Sequence, residues 1–348
     1  MTLSHEPPTA PSVSLRVIPK TSVSNMGSSR FSPLGRKPQP IRIAGTDCLI
    51  RPQASLASLT SFRVGGPAEL YLAPRTTEDL QAGLNWAKER GLPITLVGAG
   101  SNLLVSDRGL PGLVVCTRHL KHIAFDDATG QLTAAAGDQI ARLAWQAAER
   151  GWTGLEWAVG IPGTVGGAVV MNAGAHQACT AELLVNAHVL AIDGSVEVLM
   201  PQALNFGYRT SALQGLAHTA SPEAIRLVSQ ATLQLQPGAD PQQVMANTTA
   251  HLNQRRDSQP YHLPSCGSVF RNPKSYKAGW LIEQSGLKGH QIGGAQIAQR
   301  HANFILNCGG ATAADIFQLI RLVQEEVEKK WSLLLEPEVK MLGEFQMV

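Results

Sequence analysis

The sequence predicts a protein of mixed helices and short strands, arranged as two domains behind a disordered N-terminal tail. Its 348 residues are enough for about two domains, and 44% hydrophobic residues can fill a core in each. Charged residues make up only 16%, whereas glycine (33) and proline (21) are frequent. This composition excludes collagen, a coiled coil and wholesale disorder, and it is typical of a loop-rich binding fold.

The tail comprises residues 1–40, which contain seven prolines and eight serines with little apolar periodicity. Such a segment cannot bury enough apolar surface to offset its ordering entropy, so we predict disorder. Its acid-poor composition with serine and arginine is also typical of an organellar transit peptide. It has no clear amphipathic face, however, and no signal-peptide apolar region.

The net charge of +3 comes from this tail, because the remaining chain holds 24 basic and 25 acidic residues. A body without excess positive charge argues against nucleic-acid binding, while a small anionic substrate stays possible.

The cysteine spacing and the hydropathy of the sequence indicate the cellular compartment of the protein. The five cysteines are widely spaced and never form a Cys-x-x-Cys pair, so we predict neither disulfides nor a metal site. A reducing, cytoplasmic location fits best. The one long uncharged run, residues 158–175, contains five glycines and a proline, which makes a poor transmembrane helix. We predict a soluble protein that does not contact membranes.

A β-α-β unit is predicted near the start of the first domain. Apolar residues recur with helical spacing after Thr77, which we assign as the helix cap, and Gly91 ends the pattern. Short apolar strands at 68–72 and 94–97 flank this helix.

Two further helices and a domain boundary are predicted. Residues 138–150 repeat the helical pattern, and a last helix begins at a Thr312 cap with Asp315 three residues later. The sequence Pro-Gly-Ala-Asp-Pro at 237–241 is typical of a linker turn. We therefore predict a first domain at 41–237, with subdomains at about 41–105 and 106–237, and a second domain at 238–348.

The first candidate site is a glycine-rich loop after the second strand of the unit. Its small residues would let main-chain N–H groups approach a phosphate: Gly98, Ala99, Gly100, Ser101, Asn102 and Leu103. It does not match a Rossmann fingerprint, because Leu103 replaces the third glycine and no helical pattern follows. An ordinary tight turn is the alternative.

The second candidate site is a similar loop with Gly160, Pro162, Gly163, Thr164, Gly166, Gly167 and Ala168. Together the two loops could hold both phosphates of a dinucleotide through main-chain donors, with hydroxyls from Ser101 and Thr164. The alternative is a pair of crowded strand crossings.

Through these two loops and the further segments given next, the chain resembles the UDP-N-acetylenolpyruvoylglucosamine reductase family of bacterial cell-wall synthesis. The similarity covers about residues 41–345 and includes Tyr-Arg-Thr-Ser at 208–211 and Leu-Glu-Pro-Glu-Val at 335–339. The other matching segments, in order, are residues 60–67, 98–105, 154–156, 160–176, 255–256, 259–260, 266–273, 279–289 and 301–304.

The resemblance implies an α+β fold of the vanillyl-alcohol oxidase (PCMH) type, in which two subdomains hold FAD and a separate α+β domain binds substrate. It also implies non-covalent FAD, NADPH as electron donor, and UDP-N-acetylglucosamine enolpyruvate as substrate. No obligatory protein partner is implied. The last strand, 335–345, is expected to return to the active site, and Arg63 and both loops are expected to contact FAD.

Three chemical roles carry over from the family. Hydride addition to C3 of the enolpyruvyl group pushes negative charge onto its carboxylate. A cation and an acid beside that carboxylate would stabilise the charge. Arg209 matches the family arginine on that carboxylate, and Glu338 matches its acidic partner. Ser268 matches the residue that protonates C2.

Substrate contacts are implied for further polar residues of the matching segments: Tyr208, Asn272, Gln284, Lys288 and His301. Lys288 is the best candidate for a phosphate contact, whereas His301 could equally be a hydrogen-bonded core histidine. The usual lysine of one motif is Arg271 here, which keeps the charge but changes the geometry. The chain lacks a long insertion between Tyr208 and Gln230, as in the shorter subgroup of the family.

Two other functions stay open at this point. A flavin oxidase of the same fold often tethers FAD through a histidine in the first loop, and residues 99–102 offer none. A binding module without turnover would not need Arg209, Ser268 and Glu338 together.

Overall fold

The structure is a computed structural model that describes residues 39–215, 218–219 (backbone only) and 224–346. Nearly all of the tail predicted at 1–40 lies outside this range. The helices are α1 (Thr77–Lys88), α2 (Ile140–Glu149), α3 (Val165–Met171), α4 (Thr180–Leu183), α5 (Pro241–Ser258), α6 (Ala278–Gln284) and α7 (Ala313–Trp331). The strands are β1 (Ile41–Arg42), β2 (Leu49–Ser55), β3 (Pro67–Leu72), β4 (Ile94–Val97), β5 (Leu103–Val105), β6 (Leu110–Cys116), β7 (Ile123–Asp126), β8 (Gln131–Ala135), β9 (Gly174–Ala175), β10 (Ala178–Cys179), β11 (Leu184–Ala191), β12 (Val196–Leu199), β13 (His218–Thr219), β14 (Arg226–Gln234), β15 (Gln291–Ile292), β16 (Ala295–Ile297), β17 (Ile305–Asn307) and β18 (Lys340–Leu342).

A six-stranded mixed sheet contains the predicted β-α-β unit. Its order is β1-β2-β3-β6-β4-β13, and β3 and β4 both run parallel to β6, which lies between them. Buried leucines of α1 pack against this sheet. The expected cap at Thr77 is wrong by one residue: the Thr76 hydroxyl accepts the N–H of Asp79, and Thr77 is the first helical residue.

A five-stranded antiparallel sheet, β12-β11-β14-β8-β7, forms the second layer and packs on α2 and α3. The predicted α2 begins at Ile140 rather than at Asp138. The Asp138 carboxylate instead accepts the main-chain N–H groups of His122 (3.0 Å) and Ala135 (3.2 Å), which keeps Asp138 in a turn.

Helix α3 corrects the expectation that the second candidate site, at residues 160–168, is a loop throughout. Its glycines favour a loop by local propensity, but Val165 and Val169 are buried in the core and stabilise the helix. A Cβ on Gly166 would lie 3.0 Å from the Ala136 side chain, so this close packing favours glycine. Tertiary burial therefore overrides propensity in this segment.

The C-terminal part contains α6, α7 and the three-stranded antiparallel sheet β15-β16-β17 around a shared apolar core. The predicted start of α7 is confirmed, because Thr312 and Asp315 form a reciprocal capping box. The chain then returns to its first half, where β18 pairs in parallel with β5.

All described residues belong to one compact unit. Helix α5, which follows the predicted boundary at residue 237, packs Leu252 against the core of the five-stranded sheet. The division into domains 41–237 and 238–348 stays a prediction.

Within the described ranges, no helix has the length and apolar character needed to cross a membrane. The same ranges contain no group of three or more His, Cys, Asp or Glu residues that could hold a metal.

Asp107 joins the first half of the chain to α7. Its two carboxylate oxygens accept the N–H groups of Ala313 and Ala314, each at 2.9 Å, at the positive end of the helix dipole. We expect Asp107→Ala to lower the free energy of unfolding by about 1–2 kcal/mol, as the loss of a helix cap does. Chemical denaturation of the purified protein measures this. The exposed Asp127→Ala is the control, and an equal effect of both variants would contradict the bridging role.

Candidate active site

A cavity of about 730 Å³ collects residues from both glycine-rich loops and from the C-terminal part of the chain. Seventeen of the predicted site residues line it: Gly98, Ala99, Gly100, Ser101, Asn102, Leu103, Pro162, Gly163, Thr164, Gly166, Gly167, Ala168, Tyr208, Arg209, Ser268, Asn272 and Glu338. Distant segments of the sequence therefore share one site.

The two glycine-rich loops lie side by side on this cavity. The Ser101 hydroxyl donates to the Pro162 carbonyl at 2.9 Å and ties the loops together. Gly100 has φ +66°, and a Cβ there would lie 2.1 Å from the Leu59 carbonyl oxygen. A Cβ on Gly98 would lie 2.7 Å from the Thr164 hydroxyl. Glycine at both positions keeps the backbone close packed and accessible from the cavity.

The hydrogen-bonding state of these loops fits a dinucleotide cofactor. Among the described residues, none accepts a hydrogen bond from the main-chain N–H groups of residues 99–102. The Thr164 hydroxyl is buried and also lacks a partner within the described part of the chain. An unpaired buried hydroxyl is costly, and phosphate oxygens would satisfy both the Thr164 hydroxyl and the main-chain N–H groups. The donor set thus suits a diphosphate.

Arg209 and Glu338 form an ion pair in the cavity wall. The Arg209 Nε lies 3.1 Å from Glu338 Oε1, and the two side chains are only 22% and 16% exposed. A tight turn places Arg209 at φ +58°, which is uncommon for a residue with a Cβ. A second guanidinium nitrogen donates to the Gly174 carbonyl at 2.6 Å. The arginine is therefore held in one orientation.

Burial raises the pKa of Glu338 above that of an ordinary glutamate. The positive charge and hydrogen bond of Arg209 oppose this shift, as do the charges of Arg271 and Lys340. Burial is the larger effect, so the carboxyl keeps its proton to higher pH than usual. An arginine that stays charged thus lies beside a carboxyl that can still donate a proton or a hydrogen bond.

Ser268 lines the same cavity as this pair, because its own segment pairs with the C-terminal one. The Glu338 N–H donates to the Val269 carbonyl at 2.7 Å, and the Arg271 N–H donates to the Glu336 carbonyl at 2.9 Å. The Asn102 side-chain amide then donates to the Glu338 carbonyl at 3.0 Å, which joins the first loop. Ser268 follows Gly267 (φ +83°) and is half-buried on the cavity wall.

Lys340 and Gln214 line the cavity but were not predicted as site residues. The Lys340 ammonium donates to the Gln214 side chain at 3.0 Å, and Gln214 donates to the Arg209 carbonyl at 2.6 Å. Burial lowers the pKa of Lys340, and the charge of Arg271 lowers it further. The sequence did contain a signal for Lys340: residues two apart in an extended segment point to the same side, and Lys340 follows Glu338 by two.

Five predicted residues do not line the cavity: Arg63, Gly160, Gln284, Lys288 and His301. Arg63 and Gln284 are exposed. The Gly160 carbonyl accepts the Tyr261 hydroxyl at 3.2 Å, which holds the start of the second loop. These residues lie outside the cavity wall, and their assigned roles stay predictions.

Lys288 and His301 have protein partners. The Lys288 ammonium lies 2.7 Å from the Glu283 carboxylate. The His301 ring packs edge-on against Phe304, and its Nδ1 accepts the Asn303 N–H at 3.3 Å. Burial lowers the pKa of His301, which favours the neutral imidazole. This arrangement is typical of the hydrogen-bonded core histidine that the sequence left open.

Known proteins match this chain over most of its length. Residues 68–199 match the family model described as FAD binding domain, and residues 259–342 match that of the UDP-N-acetylenolpyruvoylglucosamine reductase C-terminal domain. The UDP-N-acetylenolpyruvoylglucosamine reductase of Trichormus variabilis is 61% identical over 323 residues, covering 93% of this chain and 95% of that protein. The reductase of the same name from a Nostoc species is 63% identical over 306 residues, covering 88% and 90%.

A solved structure extends this similarity to the fold. The crystal structure of UDP-N-acetylenolpyruvylglucosamine reductase (MurB) from Thermus caldophilus matches with a TM-score of 0.70 at 34% identity, covering 85% of this chain and all (100%) of that one. Together with the FAD binding domain match, this confirms the expected FAD-binding α+β fold with its C-terminal domain. This chain belongs to the UDP-N-acetylenolpyruvoylglucosamine reductase family.

Proposed function

We propose that this protein reduces UDP-N-acetylglucosamine enolpyruvate to UDP-N-acetylmuramate in peptidoglycan synthesis, with FAD as its cofactor and NADPH as electron donor. The observation that carries the proposal is the meeting of Arg209, Glu338 and Ser268 on a cavity also lined by both glycine-rich loops. Family membership supports the same reaction.

Both glycine-rich loops would hold FAD. The main-chain N–H groups of residues 99–102 and the Thr164 hydroxyl would bind the diphosphate. When bound, FAD supplies a carrier that takes a hydride from NADPH and passes it to C3 of the enolpyruvyl group. Arg63 and Gly160 do not line the cavity, so they would act only through the shape of neighbouring segments.

Arg209 and Glu338 would stabilise the charge that develops on the substrate. As hydride reaches C3, electron density moves through C2 onto the carboxylate, which becomes an enolate-like dianion. The Arg209 guanidinium is fixed by Glu338 and by the Gly174 carbonyl, so it needs no reorganisation to bind this charge. A protonated Glu338 would add a hydrogen bond to the same oxygen atoms, and Lys340 would add positive charge.

Ser268 would complete the reaction by protonating C2. Its O–H bond breaks as the new C2–H bond forms, and the serine recovers a proton from water. Hydride at C3 and this proton at C2 together add two hydrogen atoms across the double bond. Serine is a weak acid, but a carbanion-like C2 is a strong base, so the transfer is downhill.

The remaining assignments are proposals of the same kind. Tyr208 and Asn272 line the cavity and would contact the substrate there. Gln284, Lys288 and His301 do not line it, so they would contact only a part of the substrate that extends beyond the cavity. We place the substrate-binding part at 238–348. We also propose a cytoplasmic location without an obligatory protein partner, since all five cysteines are free thiols.

The visible absorption spectrum tests this function. Without oxygen, purified protein containing FAD should bleach on addition of NADPH and recover its colour on addition of UDP-N-acetylglucosamine enolpyruvate. Protein that bleaches but does not recover would move the function to a flavin oxidase or a binding module. Colourless protein that takes up no added FAD would contradict the cofactor itself.

A further inference from the structure

Arg118 lies behind the first glycine-rich loop and was not singled out by the sequence. Its Nε donates to the Gly98 carbonyl at 3.2 Å, and one terminal nitrogen donates to the carbonyls of Ala99 and Leu59. The guanidinium is partly buried and does not line the cavity. One side chain thus binds three main-chain carbonyls, two of them in the loop.

Peptide geometry gives these bonds a consequence on the other side of the loop. In a trans peptide unit, the C=O and the following N–H point in opposite directions. The Gly98 carbonyl shares a peptide unit with the Ala99 N–H, and the Ala99 carbonyl shares one with the Gly100 N–H. Carbonyls that point toward Arg118 therefore turn both N–H groups away from it.

The side away from Arg118 is the cavity, because the loop lines the cavity and Arg118 does not. Within the described residues, neither the Ala99 N–H nor the Gly100 N–H has an acceptor. Without Arg118, either peptide unit could rotate and direct a carbonyl at a bound anion, which would repel it. Among the described residues, no side chain other than that of Arg118 binds both of these carbonyls.

We propose that Arg118 is a positioning residue that holds the Ala99 and Gly100 N–H groups toward the diphosphate of FAD. The inference rests on the proposed function for the identity of the ligand. Arginine suits the task because its planar fork can bind several carbonyls at once, whereas an ammonium ion has the same charge without that geometry. Preorganised donors bind more tightly because the loop loses less freedom on binding.

The test compares FAD dissociation constants of wild type, Arg118→Lys and Arg118→Gln, measured by flavin fluorescence on protein stripped of FAD. We expect Arg118→Lys to weaken FAD binding on the order of 10- to 100-fold, as the loss of charge-assisted hydrogen bonds does. The ³¹P resonances of saturating bound FAD should also shift. Arg90→Lys is the matched control, since Arg90 also donates to a carbonyl, that of Trp86, but does not line the cavity.

Each other outcome has a definite meaning. Wild-type affinity in Arg118→Lys would overturn the positioning role. If affinity were then lost in Arg118→Gln, charge alone would be the cause. If a variant is unfolded without FAD, its affinity is obtained from the FAD concentration that is needed to fold it. Folding at the wild-type concentration, or no folding even at saturation, would also overturn the proposal. Wild type that binds no FAD would instead contradict the proposed function.

Discussion

Ser268→Ala is expected to keep the reduction of bound FAD by NADPH while its reoxidation by the enolpyruvyl substrate slows by about 10²- to 10⁴-fold. The variant removes the hydroxyl and leaves Arg209 and Glu338 in place, so charge stabilisation survives and proton delivery to C2 does not. Anaerobic stopped-flow absorbance separates the two half-reactions. An effect confined to the second one is the signature of a residue that acts only on substrate.

Two further variants sharpen this test. Ser268→Cys keeps a proton donor at the same position and should recover part of the lost rate. Ser58→Ala removes an exposed hydroxyl that donates to the Ser55 carbonyl, and it should leave both half-reactions unchanged. Substrate-driven reoxidation of Ser268→Ala at the wild-type rate would remove Ser268 from its assigned role.

Replacement of Glu338 is the second variant with a large expected effect. Glu338→Ala removes one donor to the developing oxyanion and should slow substrate-driven reoxidation by about 10²- to 10³-fold. Glu338→Gln keeps an N–H donor of similar size, so its loss should be smaller, on the order of tenfold. Glu338→Ala also removes the acceptor of the Arg209 Nε hydrogen bond at 3.1 Å, which should raise the KM for substrate.

The pH dependence follows from the raised pKa of Glu338. The protonated carboxyl is the useful form, because it donates a hydrogen bond and does not repel the substrate carboxylate. As pH rises through this raised pKa the proton is lost, so the wild-type rate of substrate-driven reoxidation should fall on the alkaline side. Glu338→Gln cannot ionise and should lack that decline, which a pH profile of single-turnover rates measures.

Glu336→Gln provides the matched control, since Glu336 lies two residues earlier and its side chain is 67% exposed in a pair with Arg271. Because the Glu336 carboxylate is exposed, solvent screens its charge, so we expect less than about a threefold change in rate. If the alkaline decline persists unchanged in Glu338→Gln, another group causes it, and the half-buried Lys340 would be the first to examine.

Local sequence was sufficient for the elements whose residues interact within a few positions. The α7 capping box needs only Thr312 and Asp315, and the α1 pattern needs only helical spacing. Both were predicted, apart from a shift of one residue at Thr76. The glycine-rich loops were also identifiable, because backbone that must approach a ligand or adopt positive φ, as at Gly100, requires glycine locally.

Local sequence was insufficient where burial or a distant partner decided the outcome. Helix α3 was missed because its glycines indicate a loop, and only packing of Val165 and Val169 makes the helix stable. Lys288 and His301 stand in matching motifs but do not line the cavity, because the Lys288 ammonium pairs with Glu283 and the His301 Nδ1 accepts the Asn303 N–H. Propensity cannot report such contacts, since they depend on residues that fold against them.

The sequence by itself determined the family, the two glycine-rich loops and the identity of the polar residues proposed for the chemistry, because each is written in a short contiguous motif. Only the tertiary structure decided that Arg209, Ser268 and Glu338 share one cavity. Pairing of Glu338 with Val269, and of β18 with β5, brings those motifs together. The hydrogen bonds from Arg118 to the Gly98 and Ala99 carbonyls were decided in the same way. Hydrogen bonds and burial between distant segments set these positions, and no local pattern of residues encodes them.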